Sequence, residues 1–225
     1  MIDIKAMKKD DIVWLATNRC KSHGRTYLEH PCCFEKERPK KILTNPIIGS
    51  LDIETSNLKA NYAIILSYAI KIHGSKKLIG RALTPEEMHS DVYDRDLIRE
   101  CIDAMSKLDV CVTFYGSRFD IPTIRTRALF YKIPFPKHGT IKSCDVWRIA
   151  RGKLNLHSNR LENICSFYGI PAKQHKMSPQ VWTKSLSGDQ KALDYVWAHN
   201  KEDVYSLEKV YNLLIPFSHG KWSSI

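Results

Sequence analysis

The chain lacks any apolar run near the roughly 18 residues that a membrane-spanning helix needs. Its first residues, Met1-Ile2-Asp3-Ile4-Lys5, carry no secretory hydrophobic region. A protein that stays in the cytoplasm, without membrane partners, is therefore expected. A disulfide framework is lacking too: seven cysteines, an odd number without regular spacing, fit reduced thiols better than paired ones. The chain has neither an internal repeat nor a low-complexity tract. What is present is ordinary for one globular domain with a small appendage: 225 residues, 43% hydrophobic and 26% charged.

Acid is the scarcer charge, with 24 Asp or Glu against 35 Lys or Arg and a net charge of +11. The excess is concentrated. Between Arg118 and Lys184 there are 13 basic residues and only three acids, Asp120, Asp145 and Glu162. The same segment holds Phe119, Phe130, Tyr131, Phe135, Trp147, Phe167, Tyr168 and Trp182. Cations interleaved with aromatic rings suit single-stranded nucleic acid, which offers phosphates and π-faces together. A solvated basic face over core aromatics is the plainer alternative.

Residues 1–46 form a basic extension without sustained strand alternation, ending in Lys36-Glu37-Arg38-Pro39-Lys40-Lys41. Residues 47–217 carry the regular patterning, and 218–225 are expected to be a loose tail. Strands are expected at 47–54, 62–72, 77–83, 110–115 and near 140–146. Helices are expected at 91–107, from Pro122, at 160–168 and at 189–214. A basic and polar linker fills the stretch to Trp182. Three consecutive strands followed by alternating helices and strands describe an α/β fold with a mixed sheet flanked by helices.

Against this background four acids stand out. On a strand, Asp52 and Glu54 share one face while Leu51 and Ile53 take the other. Asp120 follows the apolar run Val110–Tyr115. Asp203 falls on the apolar stripe of the last helix, in phase with Val196, Leu207, Val210 and Leu214. Carboxylates placed toward a core need a cation or a donor beside them. Each also has a plainer reading: an exposed strand face for Asp52 and Glu54, a helix cap for Asp120, a buried ion pair for Asp203.

Asp52-Ile53-Glu54-Thr55, Tyr115-Gly116-Ser117-Arg118-Phe119-Asp120 and His199-Asn200-Lys201-Glu202-Asp203-Val204 together resemble the three exonuclease motifs of the DEDD superfamily. The branch most similar contains the proofreading domains of family-B DNA polymerases and small stand-alone exonucleases. The resemblance covers roughly residues 47–214. It implies a ribonuclease H-like fold with a five-stranded mixed sheet, and two-metal hydrolysis of phosphodiesters from single-stranded DNA or RNA 3′ ends. Two Mg2+ or Mn2+ ions suit hard oxygen ligands. In this pattern Asp52 bridges both ions, Glu54 and Asp203 hold the ion that activates water, and Asp120 supports the second. An endonuclease, or a non-catalytic nucleic-acid-binding module of the same fold, remains the alternative.

One position departs from the family. The tyrosine branch has a Tyr four residues before the last Asp, whereas the histidine branch has a His five before it. Here His199 stands at the tyrosine spacing, one helical turn from Asp203. An imidazole there can orient or deprotonate water; the alternative is a core histidine in a weakened site. Arg118 is a candidate phosphate contact, and Phe119 reads as core. Asp145 reads either as a second acid near the site or as a turn and cap residue. Arg148, Arg151 and Lys153 are further candidate phosphate contacts. In the extension, Cys20, His23, His30, Cys32 and Cys33 have spacings compatible with tetrahedral zinc or with ordinary packing.

Overall fold

The computed structural model describes residues 4, 7, 9–37, 46–171, 173–218 and 223–224. Part of the basic run ending the extension, Arg38–Lys41, lies outside the described residues. A five-stranded mixed sheet forms the centre: β1 (Ile48–Thr55), β2 (Ile65–Ile72), β3 (Leu78–Ala82), β4 (Val110–Thr113) and β5 (Lys142–Asp145), in the order β3-β2-β1-β4-β5. β1 runs antiparallel to β2 and parallel to β4. A two-residue strand, β6 (Ser223–Ser224), pairs antiparallel with Lys142 and Ser143. Of the tail expected to be loose, these two residues thus add backbone to the edge of β5 that faces away from β4.

The two faces are separated by strand alternation. On β4, Cys111 joins one core cluster with Leu51, Ile53 and the helix α4 (Arg95–Met105), while Val110 and Val112 join the other. That second cluster contains α6 (Val146–Lys153), α7 (Leu161–Phe167) and the C-terminal half of α9 (Gln190–Leu214). β2 is buried on both faces because α4 packs on one side and α9 on the other. The start of α4 is fastened by a buried network around Asp94. Its Oδ2 accepts from Ile65 N at 2.8 Å and Arg127 Nε at 3.0 Å; its Oδ1 accepts from Tyr131 Oη at 2.9 Å and pairs with Arg127 Nη2.

Several elements differ from the sequence expectations. α5 (Asp120–Phe130) begins two residues before Pro122, so Asp120 is its first residue and not its cap. α6 occupies a stretch left without a helix, capped by Asp145, whose side chain accepts from Trp147 N. α8 (Pro179–Leu186) begins inside the expected linker and runs past its end at Trp182, with Ser178 capping and Pro179 at its first position. A single-turn helix, α3 (Pro85–Met88), is closed by a capping box between Thr84 and Glu87. These pieces are too short to display a helical period, so only their caps announce them. The extension holds α1 (Lys9–Thr17) and α2 (Pro31–Glu37) around a small core of Leu15, Cys20, Tyr27, Cys33 and Phe34.

Candidate active site

The backbone opens a crevice where the acids emerge. The parallel pairing of β1 with β4 runs through Ile48–Val110, Gly49–Cys111 and Ser50–Val112, and stops there. Beyond Ser50 the two strands are no longer bonded, and Asp52 and Glu54 follow at the carboxyl end of β1. Crevices outside the carboxyl ends of strands are where open α/β sheets bind ligands. A register shift between Glu54 and Thr55 bends the end of β1, a device that re-aims side chains beside active sites. Leu51 and Ile53 are buried in the sheet core, so Asp52 and Glu54 turn toward α9.

The stripe of α9 continues through the site: Leu193, Val196, Asn200, Asp203, Leu207, Val210 and Leu214 are all buried, spaced alternately three and four apart. Its two polar members meet β1. Asn200 Nδ2 donates to Ser67 Oγ at 3.1 Å and reaches the Asp52 carbonyl at 3.4 Å, while Asp203 lies one turn further on. His199 points the same way, with Nε2 3.2 Å from Asp203 Oδ2 and 3.4 Å from Glu54 Oε1. Its Nδ1 faces the carbonyl oxygen of His175. A carbonyl only accepts, so Nδ1 carries a proton and Nε2 is the atom offered to the site.

Sequence reasoning missed Lys173. Its ammonium pairs with Asp203 Oδ1 and lies within electrostatic reach of Asp52 and Glu54. The segment carrying it is strapped to α9 by Glu202. That carboxylate accepts from Gln174 N at 3.0 Å, from His175 N at 3.1 Å and pairs with His175 Nδ1 at 2.7 Å. Tyr195 Oη donates to the Lys176 carbonyl at 3.1 Å. A loop residue brought back by such long-range bonds leaves no periodic trace in the sequence. Its only cue was membership of the basic stretch. The ion-pair alternative for Asp203 is therefore present, inside the acid cluster.

Asp120 enters from the other wall. It is 4% exposed, and its Oδ1 accepts from Ile53 N at 3.2 Å, which ties α5 to β1 between the two acids of that strand. Gly116 makes room for it: a Cβ there would lie 2.8 Å from Asp120 Oδ2 and 2.4 Å from Thr113 Cβ. Tyr115, just before, takes a positive φ of 65°, a backbone strain often found beside functional sites.

Electrostatics show how crowded the cluster is. Burial, then repulsion from Asp203, Asp120 and Glu54, raises Asp52 well above the ordinary carboxylate range. Burial, then Asp203, pushes Glu54 up to about 8. Burial raises Asp120 to about 7 despite the backbone amides that favour its charge. Burial would lower Lys173, but Asp203, Asp52 and Glu54 outweigh it and hold the ammonium charged. One ammonium does not offset four carboxyls. An oxygen-rich donor set short of positive charge fits hard divalent cations such as Mg2+ or Mn2+. Glu54, His199 and Asp203 also offer ligand atoms within 4.8 Å of one another.

The remaining candidates sort differently. Asp145 is a loop and cap residue. It accepts from Tyr115 N at 2.8 Å, Ser117 N at 3.2 Å, Ser117 Oγ at 2.5 Å and Trp147 N at 3.2 Å, fixing the loop that delivers Asp120. Arg118 is exposed on that loop, and no described contact brings it to the acids. Phe119 packs against the core. Arg148, Arg151 and Lys153 are exposed on α6. Of these, Arg151 stacks over Trp147 at 5.1 Å, and Trp147 meets Tyr115 edge-on at 4.8 Å. These three, with Phe114, Asn159 and Arg160, line an open cleft of about 510 Å³. Tyr115 belongs to the cleft and the adjacent Gly116 to the acid site, so the two are neighbours. Among the described residues no helix is long and apolar enough to cross a membrane.

Comparison with known proteins follows the same outline. Residues 50–215 match the family model of the RNase_H superfamily. The fold is similar to that of the family B DNA polymerase from the hyperthermophilic archaeon Pyrobaculum calidifontis, with a TM-score of 0.63 and 17% identity. That match covers 77% of this chain but 25% of the polymerase, so the likeness concerns one part of a larger protein. No curated protein matches the chain by sequence.

Proposed function

The chain belongs to the RNase_H superfamily, and from that membership and its cluster of acids we propose that it is a metal-dependent nuclease acting as a 3′–5′ exonuclease. The observation that carries the reading is the approach of β1, α5 and α9. Asp52, Glu54, Asp120 and Asp203 come from three separated motifs and repel one another in one crevice, with His199 Nε2 aimed between Glu54 and Asp203.

Asp52, Glu54, Asp120 and Asp203 are the residues that would hold Mg2+ or Mn2+, and these ions would supply Lewis acidity and charge neutralisation at a scissile phosphate. The protein groups have their own tasks. Nε2 of His199, with its other nitrogen proton fixed on the His175 carbonyl, can accept a proton from an attacking water. Lys173 carries a positive charge that can move from Asp203 to a phosphate oxygen. Asp145 and Gly116 set the loop that positions Asp120. The aromatic cleft at Tyr115 and Trp147, flanked by Arg151 and Arg160, suits a base stacked beside its phosphate. Single-stranded DNA or RNA ends are the proposed substrates.

The test is cleavage of end-labelled linear and circular single strands with Mg2+ or Mn2+, with and without chelator, by wild type and Asp52→Ala. Stepwise shortening of linear strands only, lost with chelator and in the variant, is expected. Cutting of the circle would make the protein an endonuclease instead. A second reading, a non-catalytic nucleic-acid-binding module, is favoured by the Lys173–Asp203 pair, because an ammonium already stands among the acids. It predicts binding without any chelator-sensitive product.

A further inference from the structure

The N-terminal extension contains a second cluster of ligand-type side chains, on different elements from the acids. Residues 19–26 form a tight hairpin. Arg19 bridges Thr26, Cys20 N donates to Arg25 O at 2.7 Å, and Gly24 N donates to Cys20 O at 3.0 Å. Gly24 has a φ of +64°, which a glycine adopts without strain and which closes the turn. This turn presents Cys20 and His23. His30, just before α2, and Cys33, in its first turn, come from the opposite side.

The four side chains converge. Their ligand atoms all lie within 4.8 Å of one another. His23 Nδ1 is 3.0 Å and His30 Nδ1 is 3.3 Å from Cys33 Sγ. Tetrahedral zinc, with arms of about 2.0 Å to nitrogen and 2.3 Å to sulfur, needs ligand–ligand edges of roughly 3.3–3.8 Å. Cys20 and Cys33 are both buried, at 2% and 1% exposure. Burial disfavours a thiolate at both Cys20 and Cys33, and at Cys20 the backbone N–H groups of His23 and Arg25 outweigh it.

The surroundings hold the two halves in register without the ion. Glu37, at the end of α2, accepts from Lys21 N at 2.9 Å, Ser22 N at 3.0 Å and Tyr27 Oη at 3.0 Å, which clamps the hairpin to the helix. The sequence left Cys32 and Cys33 in competition, and the structure separates them. Cys33 points inward, while Cys32 is exposed, with its Sγ 3.1 Å from His30 Nε2. A His ring held at its far nitrogen is oriented to offer the near one.

We propose that Cys20, His23, His30 and Cys33 form a structural zinc site that stabilises the N-terminal extension. The soft and borderline donors, two sulfurs and two imidazoles, select zinc over the hard cations suited to the acid crevice. All four positions are filled by protein, which marks a closed structural site rather than one that binds substrate. The extension's own core is a handful of residues around Leu15, Tyr27 and Phe34. Cores that small commonly rely on a metal.

The full chain, purified without chelator and dialysed, should retain about one zinc per molecule by elemental analysis. Co2+ in its place should give the visible bands of a tetrahedral ion and a near-ultraviolet thiolate charge-transfer band. Cys20→Ser or Cys33→Ser should lose the metal, whereas Cys32→Ser and Asp203→Asn should keep it. In case the first two variants do not fold, alkylation of the wild type followed by mass spectrometry gives the same answer. Cys32 should label at once, and Cys20 and Cys33 only after a zinc chelator is added. Absence of zinc, zinc lost with Asp203→Asn instead, or a Cys20–Cys33 disulfide would each overturn the proposal. None of these readouts depends on whether the acid crevice cleaves anything.

Discussion

Lys173 places its ammonium on the Asp203 carboxylate at the centre of the acid cluster, with side chains only 20% and 9% exposed. The pair offsets only part of the charge that four carboxyls bring to one crevice. It also sets up a competition: a cation arriving at Asp203 meets a charge already there.

That competition is measurable. Lys173→Met should lower the metal-free melting temperature, because Asp203 is left buried without its partner. The same substitution should reduce the Mg2+ or Mn2+ concentration that gives half-maximal stabilisation, by roughly tenfold if the pair is worth about 1.4 kcal/mol. Thermal melts across a metal titration supply both numbers. An unchanged metal midpoint would mean that Lys173 does not compete.

The raised acids make stability depend on pH in a definite direction. Glu54 at about 8 and Asp120 at about 7 bind protons more tightly folded than unfolded. Their contribution is full below the unfolded values near about 4. It is lost as pH rises through about 7 and 8. Metal-free protein should therefore melt at falling temperatures from about pH 5 to pH 8.5, and divalent metal should restore the loss. Glu54→Gln should flatten the alkaline part. His73 acts oppositely at the acid end. Burial pushes it down to about 4, so the unfolded chain takes up its proton first and stability falls as pH drops below about 6.5. A melting profile that rises steadily to pH 8.5 without metal would contradict this account.

Under the nuclease reading, Asp52→Ala and Asp203→Ala should each reduce cleavage by about 10³-fold or more, since several kcal/mol of charge stabilisation disappears. Binding of a single strand, measured by fluorescence anisotropy, should change little. His199→Ala should cost about 10²–10⁴-fold if Nε2 accepts the proton from water. Full activity of that variant would reduce His199 to a spacer.

The cleft is tested separately. Trp147→Ala should weaken single-strand affinity by about 1–3 kcal/mol through lost stacking, with little change in the salt dependence of binding. Arg160→Ala should instead lower the salt slope. If the tryptophan variant binds as well as wild type, the strand does not run through this cleft.

The Asp94 network carries the main stability prediction away from the site. Asp94→Ala strands the 10%-exposed Arg127 side chain and removes an acceptor from Ile65 N. A loss of about 3–5 kcal/mol in denaturant unfolding is expected, with metal binding at the acid cluster retained.

Elements with a clear alternation, period or closing Gly and Pro are legible in the sequence, and α6 and α8 are not. The 25-residue α9 is legible because apolar residues recur through seven turns, and that phase places Asp203 inward. β1 was legible from its alternation, and the same alternation put Asp52 and Glu54 on one face. α6 and α8, eight residues each, were lost in stretches whose charge and polarity masked their caps. Asp145 illustrates the cost: it looked equally like an acid near the site and a cap, and only its four bonds show that it holds the Asp120 loop. Lys173 was invisible for a different reason. Its position depends on Glu202 pinning a loop across 27 residues or more, and no local signal encodes a pairing at that range.

The continuous stripe of α9 has a consequence for how such a chain can change over time. Asn200, Asp203, His199 and Glu202 all take their bearings from one helix, so a single inserted residue ahead of them would swing every one by about 100°. Substitution on the exposed face of this helix leaves that geometry intact, but insertion does not, and its length is in effect frozen from Leu193 to Leu207.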